Sequence, residues 1–196
     1  MRERTFTEQA RRAQLIDVTI DQVAEHGYPA TSLARIAAAA GITKAAVIYH
    51  FASKNALVEA AHAQVLSALV ATVGAAVDAA GPAGAPAAYV RSMIGHLRAN
   101  PRHTRMIIEA MTNVVPPEQL VEQRAARWSP LAELLRAARA AHGLADDVDL
   151  RTAALIIGGG IDAIVQESLS DPSYDTTPAA ELLIEALQLA WLAPQN

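Results

Sequence analysis

The stretch Thr31–Phe51, TSLARIAAAAGITKAAVIYHF, constrains this chain more than any other. Leu33, Ile36, Ala37 and Ala40 recur at i, i+3, i+4 and i+7, which is one apolar stripe on a helix. Thr31 or Ser32 offers a hydroxyl to cap its first N–H groups. Gly41 follows at once and can take the left-handed conformation that ends a helix. Ile42 is placed to fill the corner, and Thr43 is a second N-cap. In the next short helix Val47 and Phe51 share a face, while Lys44, Ala45 and Ile48 point elsewhere. Two short helices around a glycine turn can be any hairpin of an all-α protein, or can lay the second helix in a DNA major groove. Spacing alone does not choose between them.

The run Thr43-Lys44-Ala45-Ala46-Val47-Ile48-Tyr49-His50-Phe51, followed by Ser53-Lys54 and a long helix, resembles the N-terminal signature of TetR-family transcriptional regulators. The likeness covers roughly residues 10 to 60, with many positions in one register. It implies a three-helix helix-turn-helix head on a larger helical domain for effector binding and dimerisation. Carried over residue by residue, Thr31, Tyr49, His50 and Lys54 would hold DNA phosphates, and Lys44 with its neighbours Thr43, Ala45 and Ile48 would face the bases. Ser32 and Arg35 complete the candidate DNA-binding set. Ala45 stands where the family often has glycine and Ile48 where it often has tyrosine, so the operator of a relative does not transfer.

Composition agrees with an all-α chain. Apolar residues make up 52%, much of it alanine, the best helix former, and β-branched runs are rare. Cysteine is absent, which removes disulfides and thiolate metal sites. The charged N-terminus has no apolar signal-like core, and the run Ala153–Val165 is short for a membrane span and contains Asp162, so the expectation is a soluble, cytoplasmic protein with no membrane contact. Net charge is −4. Its distribution is uneven: residues 1–60 carry seven basic and six acidic groups, and both lysines of the chain lie there. A DNA-facing head on an acidic body fits this pattern, with a dimer supplying affinity.

The expected order is a helix from Thr7 to His26 stopped by Gly27, the two short helices, and a helix from Lys54 to Ala80 capped by Ser53. Ile16, Ile20 and Val23 would pack on Leu33, Ile36, Val47 and Phe51. Arg11 and Arg12 could reach a flanking phosphate or be solvated. Gly81–Pro86 reads as a surface loop. Helices are then expected at 87–99, 102–113, 117–142 with a kink at Pro130, 150–170, and 178–192 opened by Pro178, nine or so in all. The domain division is placed at 1–55 and 56–196, with the helix 54–80 as the link.

The last two helices lack outward charge, and the resemblance implies a four-helix dimer interface there. Ile157, Gly158, Ile161, Ile164, Leu183, Leu187 and Trp191 are the expected contacts of the homodimer. The three glycines 158–160 call for close packing or a ligand, and Asp162 for a partner if buried. The resemblance also implies an effector cavity. His62, Met93, His96, Met106 and Trp128 are nominated for its lining, for a hydrophobic small molecule; each methionine is equally well explained as core filling. No cofactor, metal spacing or catalytic motif is present. The function expected is a ligand-released repressor that binds a palindromic double-stranded DNA operator as a dimer. The alternative is an all-α small-molecule-binding protein or enzyme whose helix-turn-helix is silent.

Overall fold

The computed structural model describes residues 5–114 and 117–193, and side chains outside 117–128. Among the described residues every regular element is helical: α1 (Phe6–Ala30), α2 (Leu33–Ala39), α3 (Lys44–His50), α4 (Lys54–Ala99), α5 (Pro101–Asn113), α6 (Pro117–Ala141), α7 (Leu150–Ser170) and α8 (Thr176–Leu187), with a π-helical turn at Gln188–Leu192. The Thr5 hydroxyl accepts from the Glu8 N–H and the Glu8 carboxylate returns to the Thr5 N–H, so a capping box starts α1 just before Thr7. Gly27 leaves helical geometry (φ 77°, ψ 161°), the stop expected there.

The Gly81–Pro86 segment differs from expectation. Only Gly81 departs from helical angles (φ 66°, ψ 174°), and the helix resumes at Pro82, whose missing N–H is not needed in a first turn. Pro130 lies inside α6, which continues through it. In α8 the Asp175 carboxylate accepts from the Thr177 N–H, so the helix begins before Pro178.

The residues pack into two units. The first comprises Met1–Ala68 and Pro101–Pro116. It holds two clusters. Leu15, Ile36, Ala37, Val47, Phe51 and Leu57 close the core under the helix-turn-helix, with Ile42 against it. Ile20 and Val23, expected in that core, pack instead with Val58, Ala61, Val65, Met106 and Ala110. This is why the unit runs past residue 55: the start of α4 and all of α5 are needed to cover the second half of α1.

The second unit comprises Leu69–Asn100 and Pro117–Asn196. Its core takes Val90 and Ile94 from α4, Leu131 and Leu135 from α6, one face of α7, and Ala180, Ile184 and Leu187 from α8. Arg139, nearly buried, ties the end of α6 to the α6–α7 loop and to the last helical turn. It donates to the carbonyls of Ala145 (3.0 Å) and Trp191 (2.6 Å) and to Asp147 (2.7 Å). By length and apolarity α4 and α7 could each cross a membrane. In α7, however, Leu150, Ala153, Ala154, Ile157, Ile161 and Val165 are core residues, which accounts for its composition.

Candidate nucleic-acid interface

The turn between α2 and α3 is built from its hydrogen bonds. Ser32 Oγ accepts from the Arg35 N–H (3.2 Å) and opens α2. At the other end the Gly41 N–H reaches the Ala38 carbonyl (3.2 Å) and the Ile42 N–H the Ala37 carbonyl (3.0 Å). That pair of bonds is a Schellman closure, and it requires the left-handed Gly41 (φ 68°). Thr43 Oγ1 then accepts from the Ala46 N–H (3.1 Å) and opens α3. The two seven-residue helices are thereby fixed to one another by capping and by the shared core.

Val47 points inward and is fully buried. Lys44, Ala45, Ile48 and Tyr49 form the opposite side of α3 and are exposed. Ile48 at 47% and Tyr49 at 73% exposure are large apolar side chains left outside a well-filled core. Arg35 is exposed on α2. Ser32 and Thr43 are exposed too, and each hydroxyl that accepts in a cap still has its own O–H to donate. Tyr49 Oη donates to Glu8 Oε1 (3.0 Å), and its ring meets that of His50 edge-to-face at 5.0 Å. His50 itself is half-buried.

Two expected phosphate ligands turn inward. Thr31 is buried, and its hydroxyl donates to the Gly27 carbonyl (2.8 Å) at the end of α1. Lys54 Nζ donates to the carbonyls of Tyr28 (2.8 Å) and Thr31 (3.0 Å) and sits 3.6 Å above the Tyr28 ring. Partial burial lowers its pKa from the ordinary lysine value. Both groups satisfy carbonyls that the bend at Gly27 leaves outside the helix. Arg12 is likewise engaged: it donates to the His50 carbonyl and lies 3.8 Å over the Phe51 ring, at the C-terminal end of α3. Sequence reasoning missed Tyr28 and Glu109, which lie on this corner; the Gly27-Tyr28-Pro29 break was a visible signal for the first, and nothing local pointed to the second.

The family description "Bacterial regulatory proteins, tetR family" matches residues 15–61, the helix-turn-helix with its flanking helices. That match covers the N-terminal helix-turn-helix, about a quarter of the chain. Among curated relatives, the HTH-type transcriptional regulator BetI of Burkholderia mallei (strain NCTC 10229) is 39% identical over 84 residues, 43% of this chain and 42% of that protein. BetI of Burkholderia cenocepacia (strain HI2424) is 45% identical over 56 residues, 29% of each. The match thus spans less than half the length of these relatives. Among solved structures, the fatty acid degradation regulator FadR of Bacillus halodurans has a TM-score of 0.78 at 20% identity, over 95% of this chain and 96% of that one. FadR of Bacillus subtilis in complex with stearoyl-CoA has 0.76 at 18%, over 89% and 96%. At such identity these two share the fold.

The nominated effector residues do not gather in one place. His62 and Met106 belong to the first unit, where Met106 is fully buried core. Met93 and His96 belong to the second, and Met93 packs on its main core. The side chain of Trp128 lies outside the described residues. A cleft of about 410 Å³ in the second unit is lined instead by Arg91, Ile94, Gly95, Arg98, Ala99, Thr176 and Thr177. Arg91 makes a two-pronged pair with Glu181 (2.7 Å each), which holds that carboxyl below its ordinary pKa. Arg98 stands 3.5 Å from Asp175.

Most of the residues expected at a dimer contact pack within the protomer. Ile157, Ile161 and Leu187 are buried within the protomer, and Ile164, Leu183 and Trp191 pack partly against the same core. Gly158 is half-buried with open space beside it, and Gly160 is the close approach, where an added Cβ would meet Leu183 at 3.0 Å. Leu155, Ile156, Gly159 and Ala163 on α7, and Leu182, Ala186, Leu189 and Ala190 on α8 and the turn after it, are exposed apolar positions. Asp162 is exposed as well.

Proposed function

We propose that this chain is a DNA-binding transcriptional regulator that holds a palindromic operator as a homodimer and is released from it by a small molecule. The observation that carries the reading is the outward side of α3. A capped, glycine-hinged helix presents Lys44, Ala45, Ile48 and Tyr49 away from a core that is already complete. Lys44 can pair with guanine O6 and N7, and Ile48 can lie against a thymine methyl. Arg35 and the Ser32 and Thr43 hydroxyls suit the flanking phosphates. Such a protein works where the DNA is, in the cytoplasm.

Dimerisation is supported by the apolar outer faces of α7 and α8, since two adjacent helices with Leu155, Ile156, Leu182 and Leu189 exposed leave a patch that a symmetry mate would cover. For the effector, the cleft lined by the apolar Ile94, Gly95 and Ala99 and by Arg91 and Arg98 suits a molecule with an apolar body and an acidic group. The stearoyl-CoA of the Bacillus subtilis FadR complex is of that class.

Selection of duplexes from a randomised pool by the purified protein tests the proposal. A two-fold symmetric consensus is expected, with half-sites about 34–36 Å apart or a multiple of that spacing. Lys44→Ala should then relax preference at one base pair per half-site, by about 1–3 kcal/mol. Failure to select any sequence, even in dilute salt, would favour the silent-helix alternative.

A further inference from the structure

The corner between α1 and α2 is held by a residue far outside the matched helix-turn-helix. Glu109, on α5, accepts the Tyr28 N–H at 2.7 Å. Lys54, on α4, takes the carbonyl of the same residue at 2.8 Å. Tyr28 is therefore gripped on both sides of its backbone by opposite charges, while its hydroxyl donates to Asn55 Oδ1. The grip falls directly after Gly27, whose φ of 77° only glycine takes without strain. A Cβ at Gly27 would lie 3.6 and 3.7 Å from the two Glu109 oxygens, so the carboxylate rests against the bend itself.

The placement of Glu109 is also secured. Arg102 pairs with Asp21 at 2.5 Å, and the contacts 102–21 and 109–28 are both seven residues apart on their helices. Seven residues are two turns, so α5 runs alongside α1 in the same direction. Met106 and Ala110 fill the seam with Ile20 and Val23. Asn113 Nδ2 steadies the same carboxylate oxygen at 3.3 Å.

We propose that Glu109 is a positioning residue for DNA reading: its carboxylate fixes the bend from which α2 and α3 hang, so the DNA-binding unit is incomplete without α5. This rests on the DNA-binding reading above. Full-length E109A, E109Q and wild type are compared on the duplex that wild type selects, well below their unfolding temperature. E109A is expected to lose about tenfold in affinity, the worth of one charge-assisted hydrogen bond. E109Q keeps an oxygen that can accept the Tyr28 N–H and should stay within about threefold of wild type. The salt slope should be unchanged in both, because no phosphate contact is removed. Amide exchange at Tyr28 should quicken about tenfold in E109A. Wild-type affinity in a folded E109A, or an E109Q no better than E109A, overturns the proposal. Should E109A fail to fold, N113A takes its place: a smaller loss in the same direction supports the role, and none refutes it. If wild type selects no duplex, the DNA-binding reading falls, and unchanged exchange across residues 27–51 in E109A is what would then refute the bracing.

Discussion

Lys54→Met separates two roles that one lysine can play. As a phosphate ligand, Lys54 would contribute to binding and little to folding. Its Nζ instead donates to the Tyr28 and Thr31 carbonyls and lies on the Tyr28 ring. A hydrogen bond from a charged donor contributes about 1.5–3 kcal/mol, and partial exposure puts both of these at the low end. The ring contact adds about 0.5–1 kcal/mol. Methionine keeps the apolar stem, and the freed carbonyls recover some water, which leaves a net loss of about 2 kcal/mol. For a chain of this size that is a fall in Tm of about 4–8 °C. The assay is thermal unfolding beside anisotropy titrations on the selected duplex over a range of salt. The brace predicts the lower Tm and an unaltered slope of log K against log salt. An unchanged Tm, with the slope shallower by about 0.9 for each subunit, would refute the reasoning and restore the phosphate contact.

Gly41→Ala should cost about 1–2 kcal/mol, because φ is 68° and no atom lies within 4 Å of the added Cβ, so the backbone alone resists; urea midpoints measure it. Leu182→Glu and Ile156→Asp, at 68% and 55% exposure, should leave the fold intact and shift sedimentation from dimer to monomer, whereas Ile157→Asp, fully buried, should unfold the chain. Burial lowers the His62 pKa from the usual 6.5, and its Nε2 has no hydrogen-bond partner. The unfolded chain therefore takes up that proton first. Stability should be complete above about pH 6.5 and fall as pH drops from there through the lower folded value; denaturant titrations at several pH values should show this dependence weakened in His62→Gln.

Local chemistry was readable in the sequence, and long-range partners were not. The glycine stop at 27, the cap-stripe-glycine-cap run from Ser32 to Thr43 and the inward Val47 and Phe51 each follow from spacing and residue type within one or two turns. The extent of the first unit did not, because it depends on Met106 and Ala110 packing on α1 across some eighty residues. The effector residues show the same limit. Met106 and Met93 are of one residue type, both on helices, and only the chain's path assigns them to different units. In α7 the apolar residues go nearly all the way round, so periodicity could find the helix but not say which side the protomer keeps for itself.

The residues expected to face DNA that instead turn inward follow a physical rule. A sharp bend after a long helix exposes carbonyls at the C-terminal end, where partial negative charge collects. The groups that best satisfy them are a hydroxyl and a cation, which are also the groups that best hold phosphate. Thr31, Lys54 and Arg12 have the right chemistry for both tasks, and in each case a carbonyl of the same small unit is within reach. Local satisfaction is made once, on folding, and costs no further ordering when DNA arrives. What remains outward on α3 is then a narrow strip with a single cation, Lys44. On the proposed DNA-binding reading, such a head relies on shape and apolar contact from Ile48 and Tyr49 as well as on Lys44.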